Sequence, residues 1–220
     1  MTKQCLTFID FLGSGVIPAK AGIQCVRIVF KLETSHRGLV QSLGKRSRVK
    51  PPEVRIFSSP LMKIVILDNL RSVHNVGSIF RTANACGIEK IFLCGITPTP
   101  LDKKGNKRSD FAKVALGAEE SIEWEYVEDT LTLVKKLKEE GCYVIAIEQD
   151  EKAIDYKEIN LSRTFLDRGT VFILGPEVDG IKKEILDECD MIAEIPMLGT
   201  KESLNVTIAF GIALYRILGI

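Results

Sequence analysis

The 220-residue chain contains six cysteines (Cys5, Cys25, Cys86, Cys94, Cys142 and Cys189), no CxxC pair, and only two histidines, His36 and His74. A zinc cage needs thiolates and imidazoles clustered at short spacing, so no metal is expected; buried free thiols in a reducing cytoplasm explain the cysteines better. No apolar run reaches the roughly 20 residues of a membrane-spanning helix. The N-terminus also lacks the charged region, long apolar stretch and small-residue cleavage site of a leader, in sequence. A cytoplasmic protein with no membrane partner is expected. A G-x-G-x-x-G after the first candidate strand is missing too, which argues against a dinucleotide-dependent oxidoreductase. Gly13-Ser14-Gly15 lies in an irregular stretch and is read as chance. Net charge is only +1, so the overall balance gives no hint of a polyanionic partner.

What is present divides the chain in two. Residues 1–60 carry ten Lys and Arg against three Asp and Glu, whereas residues 61–220 carry twenty against twenty-six. The first part mixes short apolar runs with Gly, Ser and basic clusters and has no sustained period of 3.6 or 2. From Met62 onward, β-branched runs alternate with helical patterns. Strands are expected at Lys63 to Leu67, Ile91 to Cys94, Tyr143 to Ile147, Val171 to Leu174 and Met191 to Ile195. Helices are expected at Val76 to Cys86, Thr130 to Glu140, Lys182 to Glu188 and Leu204 to Leu218, the second of them closed by Gly141. This alternation implies an α/β domain whose mainly parallel sheet is flanked by helices on both faces.

Three clusters could carry chemistry. Asn69-Leu70-Arg71-Ser72-Val73-His74-Asn75-Val76-Gly77 leads from the first strand into a helix that also bears Arg81. Its polar groups therefore stand at the carboxyl edge of a parallel sheet, where ligands bind in such folds. Gly77 admits a backbone or a ligand at close range, and Arg81, about one turn further, is expected to face back toward the loop; Asn75 could equally cap the helix and Arg81 could be a solvated charge. The second cluster, Leu174-Gly175-Pro176-Glu177-Val178-Asp179-Gly180, runs from a buried strand into a glycine-bracketed turn. There Glu177 could accept hydrogen bonds from a ligand, or the turn could be plain. The third, Ile195-Pro196-Met197-Leu198-Gly199-Thr200-Lys201-Glu202-Ser203-Leu204-Asn205, joins a strand end to a helix. Its irregular turn leaves main-chain amides able to hold an adenine edge, and Ser203 and Asn205 can cap the helix or point into a site. Asn205 in an apolar setting needs a polar partner.

These three clusters, in this order and spacing over about Met62 to Ile220, resemble the three motifs of the SpoU/TrmH family of RNA 2'-O-ribose methyltransferases in the SPOUT superfamily. Pro176, Asn84 and Asn69 stand where many relatives have other residues. The resemblance implies a C-terminal trefoil knot, a recognised exception to the rule that chains do not thread themselves. It also implies bound S-adenosylmethionine, with Leu174, Gly175, Ile195, Met197, Ser203 and Leu204 lining its pocket. Asn75, Arg81, Glu177, Ser203 and Asn205 are placed at a catalytic centre assembled across a homodimer. Methyl transfer is an in-line displacement that needs a positioned ribose oxygen and removal of its proton, not a metal. The resemblance gives Arg81 the proton, although a guanidinium has no acceptor to spare; Arg81 could instead anchor an RNA phosphate.

The substrate implied is tRNA or rRNA. Lys103, Lys104, Lys107, Arg108 and Lys113, read as one polar loop opposed only by Asp102 and Asp110, form a candidate RNA-binding patch on an otherwise acidic domain. The other reading of the chain is a non-catalytic RNA-binding or ribosome-assembly protein on the same fold, which eroded catalytic positions would favour; all five are present. Met1 to Leu61 is expected to be a weakly ordered basic extension that is foreign to the natural protein. Its string Gly15-Val16-Ile17-Pro18-Ala19-Lys20-Ala21-Gly22-Ile23-Gln24 resembles translated interspersed repeat DNA. A basic RNA-binding arm is the alternative.

Overall fold

The computed structural model describes residues 62–159 and 169–220. The expectations for Met1 to Leu61 lie outside the described residues. Among the described residues seven strands form one sheet in the order β3-β2-β1-β6-β4-β7-β5, and every strand pairing there is parallel. The strands are β1 Lys63–Asp68, β2 Lys90–Cys94, β3 Glu123–Val127, β4 Tyr143–Ile147, β5 Ile154–Asp155, β6 Thr170–Leu174 and β7 Met191–Glu194. The helices are α1 Val73–Ala85, α2 Ser109–Ala115, α3 Ala118–Ser121, α4 Thr130–Glu139, α5 Lys183–Leu186 and α6 Val206–Leu218. The α/β class with a parallel sheet flanked by helices is as expected.

Parallel strands covered on both faces read as continuous apolar runs, and KIVILD, KIFLC and TVFIL do so. Successive side chains point to opposite faces, so each strand feeds two cores. Val65, Leu67, Ile91, Leu93, Phe172 and Leu174 pack with α1, α2, α3 and α6; Ile64, Ile66, Phe92, Val171 and Ile173 pack with α4 and α5. Phe80 of α1 meets Phe111 of α2 edge to face at 5.3 Å and 83°. Such a pair adds about 0.5–1.5 kcal/mol beyond area burial. The close approach that Gly77 permits is to α2: a Cβ there would lie 2.9 Å from Val114 Cβ.

Four elements were not expected from the pattern. β3 (EWEYV) is an edge strand with three exposed positions, and two of its acidic residues pair with buried Lys90, each at 2.8 Å. β5 has only two residues, and α3 only four. The segment read as a polar loop ends in α2, which carries Lys113; Phe111 and Ala115 alone of that short helix are fully buried, too few to give a helical period. Helix α6 begins at Val206 rather than Leu204 because Asn205 is its cap, its Oδ1 accepting from Thr207 N at 2.9 Å.

Candidate active site

The strand ends bring the three motifs together. Asp68 closes β1 as a buried carboxylate that accepts from Thr130 Oγ1 (2.5 Å) and Asn69 Nδ2 (2.8 Å). Thr97 Oγ1 donates to Leu67 O at 2.9 Å and accepts from Leu70 N at 3.1 Å. This buried polar lattice fixes where the chain leaves β1, including Asn69 in the left-handed region at φ 54°. Ser72 then caps α1 by accepting from Asn75 N at 3.2 Å, which sets Asn75 in the first turn.

From there Asn75 spans to the other two motifs. Its Nδ2 donates to Glu177 Oε1 at 2.7 Å, and its Oδ1 accepts from Asn205 Nδ2 at 3.4 Å. Three residues separated by 102 and 130 positions thus form one hydrogen-bonded row. The turn carrying Glu177 is folded tightly at its base. A Cβ on Gly175 would stand 2.7 Å from Ile181 N, so only glycine allows the loop to return there.

Beside this row lies an open cavity of about 600 Å³, within the range of small-molecule and cofactor sites. Its lining includes Leu174, Gly175, Ile195, Met197, Ser203 and Leu204, together with Glu177 and Asn205. Every residue expected to hold the cofactor is therefore on its wall. The charged lining residues are Glu148, Glu177, Asp179 and Glu202, all acidic. Glu148 and Gln149 escaped the sequence reading, although the end of a buried parallel strand is where such a residue belongs.

Arg81 does not line this cavity. It is six residues beyond Asn75, about 240° around the helix, and projects into a separate shallow depression with Ser78, Thr82, Ala85 and Tyr215. His74 is exposed and also lies off the cavity. In the basic segment, Lys107 is paired with Glu120 at 2.5 Å and Arg108 with Asp110 at 2.7 Å, so Glu120 joins the opposing charges. Lys103, Lys104 and Lys113 are exposed and make no ion pair with a described residue. Among the described residues, no group of three or more His, Cys, Asp or Glu could hold a metal ion, and no helix is long and apolar enough to cross a membrane.

A parallel sheet with a nucleoside-sized cavity at its carboxyl edge, closed by three polar motifs, defines a cofactor-binding α/β enzyme. The family model described as the SpoU rRNA Methylase family matches residues 62–215. The 23S rRNA (guanosine-2'-O-)-methyltransferase RlmB of Neisseria meningitidis is 31% identical over 81% of this chain and 67% of its own length. Among solved structures, the TrmH/SpoU tRNA modifying enzyme of A. aeolicus superposes with a TM-score of 0.60 at 25% identity, covering 73% of this chain and 76% of that one. The AdoMet-bound rRNA methyltransferase from Sinorhizobium meliloti gives 0.63 at 28%, covering 72% of this chain and 57% of that one. The chain belongs to the SpoU rRNA methylase family, and is an S-adenosylmethionine-dependent RNA methyltransferase.

Proposed function

We propose that the chain methylates a ribose 2'-hydroxyl of ribosomal RNA, with the Asn75–Glu177–Asn205 row at the reacting centre. That row carries the proposal: it unites all three motifs at the mouth of a cavity of cofactor size. The cofactor supplies an activated methyl group on a cationic sulfonium, which suits a cavity whose charged lining is wholly acidic. Main-chain groups around Gly175, Ile195 and Met197 hold the adenosine, with Leu174, Ser203 and Leu204 completing the wall. Asn75 and Asn205 orient the ribose hydroxyl, and Glu177, fixed by Asn75, accepts a hydrogen bond from it.

Arg81 reaches this centre from a second copy. Ile208, Ile212 and Tyr215, at 53%, 38% and 41% exposure, form one apolar stripe on α6, and Tyr215 adjoins Arg81. Covering that stripe with a second α6 buries it and brings a guanidinium to each site. With five donors and no acceptor, Arg81 serves as the anchor of an RNA phosphate beside the target nucleotide. Lys103, Lys104 and Lys113, aided by Lys107 and Arg108, hold the flanking RNA. The working unit is residues 62–220, tied by the C-terminal trefoil knot, and it acts in the cytoplasm without a metal.

Relatives named for 23S rRNA favour that substrate over tRNA. Nucleoside mass spectrometry of 23S rRNA and tRNA from a strain lacking the gene tests this. One 2'-O-methylnucleoside missing from 23S rRNA is expected, and a loss confined to tRNA would redirect the assignment.

A further inference from the structure

One carboxylate on the cavity wall belongs to none of the three motifs. Glu148 directly follows β4, whose last residue, Ile147, is in register with Leu174 of β6 and Ala193 of β7. It therefore lines the cavity together with Gly175 and Ile195, the groups that the proposed function sets around the adenosine. Its carboxylate is held in place: Oε1 accepts from Gln149 N at 3.0 Å and Oε2 from Ile181 N at 2.9 Å. Gly180, at φ +65°, keeps the facing wall bare, since a Cβ there would come 3.0 Å from Oε2. The other acidic residues of the cavity, Glu177, Asp179 and Glu202, are exposed, and Glu177 is committed to Asn75; Glu148 alone is partly buried.

Each carboxylate oxygen has two acceptor positions, so after its amide each retains one. A fixed carboxylate with one remaining acceptor per oxygen matches a pair of neighbouring O–H donors, and a ribose diol is such a pair. The same logic puts an acidic side chain against ribose hydroxyls near strand ends in other parallel sheets. We infer that Glu148 accepts hydrogen bonds from the ribose hydroxyls of S-adenosylmethionine and restricts the site to a ribonucleoside cofactor. The inference rests on the methyltransferase reading above.

Calorimetry on the full chain tests it with S-adenosylhomocysteine and its 2'-deoxy and 3'-deoxy adenosyl counterparts. The wild-type protein should bind the parent about tenfold or more tightly than at least one deoxy compound, the scale of a hydrogen bond to a charged group. In Glu148→Gln the ratio should collapse to within about twofold, whatever the change in absolute affinity. A residue that merely props the Gly175–Ile181 turn would weaken all three ligands alike, and the preserved ratio would overturn the inference. So would equal wild-type affinities, a result that needs no variant to fold. If Glu148→Gln weakened S-adenosylhomocysteine but left 5'-methylthioadenosine unaffected, the carboxylate would serve the ammonium group and the inference would also fall. A wild-type protein that took up none of these compounds would instead overturn the methyltransferase reading itself.

Discussion

Asn75 engages both of its neighbours with one amide, as donor to Glu177 and acceptor from Asn205. Asn75→Asp keeps the shape but sets two carboxylates face to face. We expect the methyl-transfer rate in single turnover to fall about ten- to hundredfold, with S-adenosylhomocysteine affinity nearly unchanged; an unchanged rate would remove the row from the mechanism. The cysteines respond differently. Burial pushes the thiols of Cys94 and Cys189 up to about 12 and that of Cys142 to about 11, from an ordinary 9.0. The unfolded chain therefore sheds these protons first, so their contribution is complete below pH 9.0 and is lost progressively toward pH 11 to 12. Urea midpoints should drop between pH 8 and pH 10, and iodoacetamide should spare the buried Cys94 and Cys142 in the native protein at pH 8. Rapid native labelling would contradict their burial. At this scale the sequence was informative for polar residues inside named motifs. It was silent on Glu148, whose place depends on which strand ends adjoin β4, and it turned Arg81 back toward the loop, whereas the helical phase carries Arg81 to a separate depression.

Strands that fill the middle of a parallel sheet announce themselves, because both faces demand apolar residues; hence β1, β2, β4, β6 and β7 were visible within a residue or so. Edge strand β3 solvates one face and spends Glu123 and Glu125 on Lys90, so its pattern is polar. Short α2 gives no period and left Lys113 in an apparent loop. The pairing around α2 also grades the basic segment. Lys103 and Lys104 form no ion pair among the described residues, whereas Lys107 and Arg108 already face Glu120 and Asp110. Replacing Lys103 and Lys104 by Ala should weaken RNA binding and flatten its dependence on salt more than replacing Lys107 and Arg108 does. Equal salt slopes in filter binding would return the segment to a solvated surface.

For the molecule as a whole, the proposed second copy would sit on the apolar stripe of α6. Ile212→Asp should yield a monomer by sedimentation equilibrium, with cofactor binding kept and methylation lost. A monomeric variant with full activity would place Arg81 outside the reaction. The sheet order has another consequence. β6 lies between β1 and β4, so two strands made early wait for one made about a hundred residues after β1, and closing such long-range pairs is slow. On the ribosome, the central pairing cannot form until Leu174 has emerged, nor the Asn75–Glu177–Asn205 row until Asn205 has. Stalled nascent chains ending before Thr170 should lack a protease-resistant core and release no cofactor-binding fragment. An RNA-modifying enzyme built this way stays inert toward the ribosome that is still making it.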